Sequence, residues 1–230
     1  MNLSIIQYNH KPDPMFCAQN SLYLQLNSMI NAYNKNDTFK ELITLDDIST
    51  RIGFKKSMGS LLNPEHLSKL SNRVNKLKNN NKLNIPNSTL VMLDNTKFLN
   101  KISKTKENKI FTICVSSEQY FNFVTNRNYF SDYYKNSEKI KNSSLQHCIA
   151  LIVQIVNGIP KYIIIDPNIE LSNQNIAMDI SEMTTKYDNK IISVEWNDIK
   201  TLLTMRYDSM DDDRIIVDME FEKNSSLDIY

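Results

Sequence analysis

Apolar and polar residues follow two rhythms along this chain, a helical one in the first half and a strand-like one in the second. Residues 1–16 read as an extended lead-in, because Pro12 and Pro14 forbid helix. At Cys17 the pattern changes. Leu22, Leu24, Leu26, Met29 and Ile30, with Cys17 and Ala18, predict a helix of about 15–18 residues that holds Cys17 in its first turn. Thr44-Leu-Asp-Asp has the form of a cap opening a short helix through Ile52. Asn63-Pro64-Glu65 places a cap before a Pro at the first helical position, and opens a Lys-rich helix to about Lys78. Residues 78–87 read as a polar loop.

From there the strand rhythm takes over. Thr89–Leu93 is a short apolar strand, Asn95–Ser103 a helix and Lys109–Val115 a buried strand. Residues 116–144 mix Tyr, Phe, Asn and Ser with no clear period. His147–Val156 and Ile159–Asp166 are two strong strands joined by Asn157-Gly158, the short-range signal of a two-residue hairpin. Lys190–Glu195 and Arg214–Phe221 are further strands, with a helix over Asn197–Met205 between them. Helices first and an antiparallel sheet afterwards give the α+β class.

The hairpin register follows by arithmetic. A two-residue loop sets Val156 opposite Ile159, so Gln154 faces Lys161, Val153 faces Tyr162, Leu151 faces Ile164 and Ile149 faces Asp166. His147 then faces Asn168 if pairing continues so far. The period of two puts His147, Asp166 and Asn168 on one face and Cys148 on the other. A His and a carboxylate become diagonal neighbours at one end of the sheet. A slip of one residue would undo this, and the polar Gln154–Lys161 pair argues against such a slip.

Composition narrows the classes. Hydrophobic residues make 41% and charged residues 23% of 230 residues, a globular profile. The chain has 3 Gly and 6 Pro, which argues against a Gly-rich nucleotide fold and a turn-dense barrel. Asn numbers 30, and Lys outnumbers Arg 22 to 5, the signature of an A+T-rich genome. The net charge of +1 hides an asymmetry. Residues 51–141 carry 17 basic and 6 acidic residues, whereas residues 151–230 carry 7 basic and 15 acidic. The basic 51–141 stretch reads as a solvated Lys-rich face that can contact an acidic partner. Scarce Arg and the lack of a groove-reading motif argue against nucleic acid.

Cys17, Cys114 and Cys148 are odd in number and lack framework spacing, so no disulfide scaffold is expected and a reducing, cytosolic-type compartment fits. Cys114 and Cys148 read as core residues in strands. With 3 His and no zinc spacing, no metal site or cofactor is expected. No secretory signal and no transmembrane segment are expected either. His10 and His66 read as surface residues, and Trp196 as helix–sheet packing.

Cys17 is the candidate nucleophile. A thiol at a helix N-terminus has its thiolate favoured by the dipole and free N–H groups. His147 is the candidate base, and Asp166 or Asn168 the group that orients it, with Asp166 preferred because it closes its strand securely.

At these residues the chain resembles the papain-like cysteine peptidase fold. The resemblance lies in Phe16-Cys17-Ala18-Gln19-Asn20-Ser21 heading a helix, Gln146-His147 opening a strand, and Ile163-Ile164-Ile165-Asp166-Pro167-Asn168 closing its partner. The order Cys, His, Asp is similar to compact bacterial members, among them the peptidase family 39-like domains and host-targeted effector proteases. The family's oxyanion Gln precedes the Cys, which makes Gln7 the oxyanion candidate here, with Asn9 as a substitute. Cys17-Ala18 stands where the family usually has Cys-Gly or Cys-Trp. The resemblance implies a single catalytic domain over 1–230, with a mainly helical lobe over 1–108 and a mainly β-sheet lobe over 109–230. It implies a cysteine protease that hydrolyses an amide bond in a protein substrate through Cys17, His147 and Asp166. It further implies a bacterial virulence effector, secreted without a cleavable signal and acting on a host protein in the host cytosol. Glutamine deamidation, transglutamination or another acyl transfer uses the same triad. A non-catalytic binding module on the same scaffold is the third reading.

Overall fold

A computed structural model describes residues 3–7, 16–34, 41–53, 62–81, 83–126, 146–167, 169, 176–186, 191–205 and 216–222. The elements, numbered over these residues, begin with β1 (Ser4–Gln7), α1 (Cys17–Tyr33), α2 (Leu45–Arg51), α3 (Pro64–Asn81) and β2 (Ser88–Leu93). They continue with α4 (Asn95–Lys104), β3 (Lys109–Ser116), α5 (Ser117–Asn126), β4 (Gln146–Val156) and β5 (Ile159–Ile165). The last are β6 (Ile176–Asp179), α6 (Ile180–Lys186), β7 (Ile191–Val194), α7 (Trp196–Leu202) and β8 (Ile216–Phe221). This is a mixture of helices with antiparallel sheet, as the α+β expectation has it.

Six strands form the main sheet in the order β2-β8-β3-β4-β5-β7, every neighbouring pair antiparallel. The last strand in sequence, β8, lies between β2 and β3, so the edge strand β2 from the first 108 residues belongs to the same sheet as the second half. β1 and β6 make a separate antiparallel pair, with Gln7 opposite Ile176.

Local chemistry explains the helix starts. Thr44 Oγ1 accepts from the Asp47 N–H at 3.1 Å and opens α2. Asn63 Oδ1 accepts from the His66 N–H at 2.9 Å and opens α3, with Pro64 at the first helical position. α3 runs to Asn81, beyond the end expected at Lys78, so the polar Asn/Lys run extends the helix before it becomes loop. The 116–144 stretch opens with α5, and residues 127–145 lie outside the described residues. β6 and α6 carry no sequence signal strong enough to have been expected, being four and seven residues long.

α1 sits in the core, buried from Cys17 to Ala32. Its apolar side chains Leu22, Leu26, Met29 and Ile30 join one hydrophobic cluster with Ile149, Leu151, Ile164 and Ile216 of the sheet. Its polar side chains are also buried, so each needs an internal partner. Ser21 donates to the Cys148 carbonyl at 3.1 Å. Gln25 Nε2 donates to the Ile110 and Val217 carbonyls, both at 2.9 Å, and its Oε1 accepts from Thr112 Oγ1 at 2.9 Å. Gln25 thus bridges β3 and β8, which pair through Thr112↔Val217 and Ile113↔Ile216. On the far side, Asn27 Oδ1 accepts from the Leu42 and Ile43 N–H groups and its Nδ2 donates to the Ile43 carbonyl.

Part of the basic stretch is neutralised within the chain. Lys101 of α4 pairs with Asp218 and Glu220 of β8, and Lys109 lies 3.4 Å from the fully buried Asp218. Arg51 and Arg73 flank Asp47 at 3.0 and 2.9 Å. Partial burial opposes the Asp47 charge, but the Arg73 hydrogen bond and the two guanidinium charges outweigh it and hold the carboxyl below its usual range.

The cysteines depart from expectation. Cys114 and Cys148 are buried strand residues, as the sequence suggests, but they are joined in a disulfide between β3 and β4. The cause is register: Cys114 lies directly opposite Cys148, with Cα atoms 4.2 Å apart. Spacing along the chain could not show this, since 34 residues separate them. The case for a reducing compartment, built on unpaired thiols, loses its basis. Cys17 is the one free cysteine of the three. Alkylation in denaturant without reductant, read by intact mass, should therefore add a single adduct per chain, and three after reduction. Three adducts before reduction would contradict the pairing.

Candidate active site

Three elements bring the expected residues together. Cys17 is the first residue of α1, whose N-cap residue Phe16 makes no side-chain capping bond and whose first turn holds no acidic residue. The helix dipole and the first-turn N–H groups thus lie beside the thiol. Ser21 lies one turn further along the same helix face. Its bond to the Cys148 carbonyl fixes that face against β4, one residue beyond His147. Cys17 is carried back one turn, to the level of His147.

His147 is the second residue of β4 and lies opposite Val115. Asp166 follows the end of β5. The β4–β5 register matches the arithmetic at each predicted pair it contains, from Val156↔Ile159 through Leu151↔Ile164, and runs on to Ala150↔Ile165. Both turn residues take positive φ, 51° at Asn157 and 79° at Gly158, as a tight two-residue hairpin requires. Continuing that register sets Asp166 diagonal to His147 on one face.

The side chains meet. His147 Nε2 lies 3.1 Å from Asp166 Oδ1, and both groups are buried. Cys17 acts on the same ring, being among the groups that raise the His147 pKa. Because Nε2 is engaged by Asp166, Nδ1 is the ring nitrogen left for the thiol. The imidazole therefore bridges thiol and carboxylate. Burial alone would lower the His147 pKa, but the Asp166 charge and hydrogen bond, followed by the Cys17 hydrogen bond and charge, outweigh it and raise it from 6.5 to about 10. His147 is thus held as the imidazolium at neutral pH.

Other expected residues stand as follows. Gln7 ends β1, which lies against α1, and its side chain is outside the described atoms. Asn9, His10 and Asn168 lie outside the described residues. Trp196 packs its ring 5.8 Å from Tyr162 of β5, with Lys200 over its face, which is the helix–sheet contact expected. Cys114 and Cys148, being disulfide-bonded, supply no second thiol.

Two further buried residues carry no functional signal in the sequence. Tyr120 of α5 places its ring 5.3 Å from the His147 ring. Only the β3–β4 register, which places α5 next to His147, could have revealed it. Gln19 is fully buried in the first turn of α1, and its side-chain amide makes no hydrogen bond among the described residues. No group of three or more His, Cys, Asp or Glu suited to a metal ion occurs among the described residues, and no described helix is long and apolar enough to cross a membrane.

No protein-family model matches the chain, and no curated protein matches its sequence.

The raised His147 pKa fixes the sign of a pH effect. Its pairing contributes fully below the unfolded value of 6.5 and is lost as pH rises through about 10. Urea midpoints should fall across that window more steeply for the wild type than for His147→Gln. Parallel curves would contradict the buried imidazolium.

Proposed function

We propose that this chain is a thiol hydrolase of papain-like architecture that attacks an amide bond in a protein substrate. The observation that carries the reading is a buried imidazole held 3.1 Å from a buried carboxylate, with the helix-start Cys17 among the groups that raise its pKa. In this reading Cys17 is the nucleophile, His147 the general acid and base, and Asp166 the orienting group.

The chemistry follows from the arrangement. The Cys17 thiolate, facing the His147 imidazolium, attacks the amide carbon and forms a C–S bond. The electron pair moves to the carbonyl oxygen, where the N–H groups of the α1 first turn oppose the developing charge. His147 gives its proton to the leaving nitrogen as the C–N bond breaks. Neutral His147 then takes a proton from water, whose oxygen displaces the thiolate and releases the acid. Asp166 holds the ring in one orientation throughout and balances its charge.

The same steps on a Gln side chain release ammonia in place of an amine, so protease and deamidase differ in what the entrance admits and not in the triad. The Cys114–Cys148 disulfide fits an oxidising compartment better than the reducing host cytosol that the resemblance implies as the place of action.

The test uses a proteome-derived peptide mixture incubated with the wild type, Cys17→Ala and His147→Ala, with products read by mass spectrometry. New peptide termini are expected with the wild type alone, and either variant should lower the rate by about a thousandfold or more. A gain of about one mass unit at Gln, without new termini, assigns the deamidase outcome of the same triad. Identical spectra for all three proteins would overturn the reading.

A further inference from the structure

β3 passes directly into α5. Ser116 ends the strand, and its Oγ accepts from the Gln119 N–H at 3.4 Å in the first helical turn. Val115, one residue earlier, lies opposite His147, and the Cys114–Cys148 disulfide clamps the next pair of the ladder. The first turn of α5 therefore rises beside His147. Tyr120 falls in that turn, buried to 1% exposure, with its ring centroid 5.3 Å from the imidazole and the planes at 45°. Phe123, three residues on, stacks with Tyr120 at 6.5 Å and 22° and supports the ring from its own helix.

We propose that Tyr120 is a positioning residue for His147, its ring holding the imidazolium between Asp166 and Cys17 by contact and by cation–π attraction. The proposal deepens the hydrolase reading and rests on His147 being its acid and base. An imidazolium within about 6 Å of an aromatic ring is attracted to the ring's negative face, most strongly where water is excluded. Among the described residues, the groups placed against His147 include Cys17 from α1, Asp166 after β5, Tyr120 from α5 and the apolar Val115 from β3. Asp166 bonds the ring nitrogen Nε2 and so acts on the ring edge. Tyr120 acts as a ring on a ring. It steadies the imidazole against tilting away as its proton passes to the leaving group.

The test is an NMR titration of His147 in the wild type, Tyr120→Phe and Tyr120→Leu, each as the full chain. The phenylalanine keeps the ring and should keep the His147 midpoint. The leucine removes the ring and should lower the midpoint by about one pH unit, a tenfold change in the protonation equilibrium. Tyr120→Met, an unbranched filler without a ring, carries the same expectation if the leucine variant does not fold. With a substrate peptide, loss of the ring should lower kcat and leave KM unchanged. The proposal is overturned if the ring-free variants titrate as the wild type does, or if Tyr120→Phe shifts as far as they do. The titration needs no substrate, so it is read even if the Cys17→Ala comparison finds no hydrolysis. Failure of the hydrolase reading and failure of the Tyr120 proposal are thus separate results.

Discussion

Polar side chains on a helix buried on every side need internal partners, and those that Ser21, Gln25 and Asn27 of α1 find fix its place to within a residue. Ser21 and Gln25 lie on the same helical stripe as Cys17, at spacings of four. Ser21 takes the Cys148 carbonyl, and Gln25 takes the Ile110 and Val217 carbonyls. A shift of α1 along the sheet would strand buried amide and carbonyl groups at roughly 1–3 kcal/mol each. A rotation would do the same and expose the opposite stripe, where Asn27 holds the backbone at Leu42 and Ile43. Apolar packing alone would tolerate such movements far better, because it is not directional. The polar stripe is what delivers the first residue of α1 to one defined point on the sheet.

The sheet brings the other partners to that point by register. The turn at Asn157 and Gly158 admits one pairing of β4 with β5, and the period of two then sets His147 and Asp166 on a common face. The disulfide clamps β3 to β4 next to His147, and β3 hands the chain directly to α5. An unpaired buried cation would be costly, and Asp166 at 3.1 Å offsets the cost of burying the imidazolium. Position comes from strands and helix, and ionisation from the partners they supply.

Much of this was legible from residues alone, for identifiable reasons. Asn-Gly between alternating apolar runs specifies its hairpin by local backbone chemistry, so the register could be written as a sum. Thr44 and Asn63-Pro64 announce their helices through bonds made within three residues. What was not legible depended on contacts between distant segments. Opposition of Cys114 and Cys148 requires the β3–β4 register, for which no turn signal exists, so the disulfide was missed. Tyr120 reaches His147 only through that same register. Ser21 and Gln25 look in a sequence like a solvent-facing stripe, and only their strand carbonyl partners show them to be core. The insertion of β8 between β2 and β3 has no local signal at all. The juxtaposition of Cys17, His147 and Asp166 followed from the hairpin sum, the helix start and the resemblance taken together.

The account turns on one relation, that His147 acts on Cys17. Cys17 is the one free thiol, so its reaction with iodoacetamide can be followed in the native protein without interference from Cys114 or Cys148. The direct measurement is the rate of that alkylation at neutral pH in the wild type and in His147→Ala, with circular dichroism confirming that both are folded. The account predicts that loss of the imidazolium slows the reaction by about tenfold or more. Equal rates in two folded proteins would show that the imidazole does not activate the thiol, and would contradict the account at its centre.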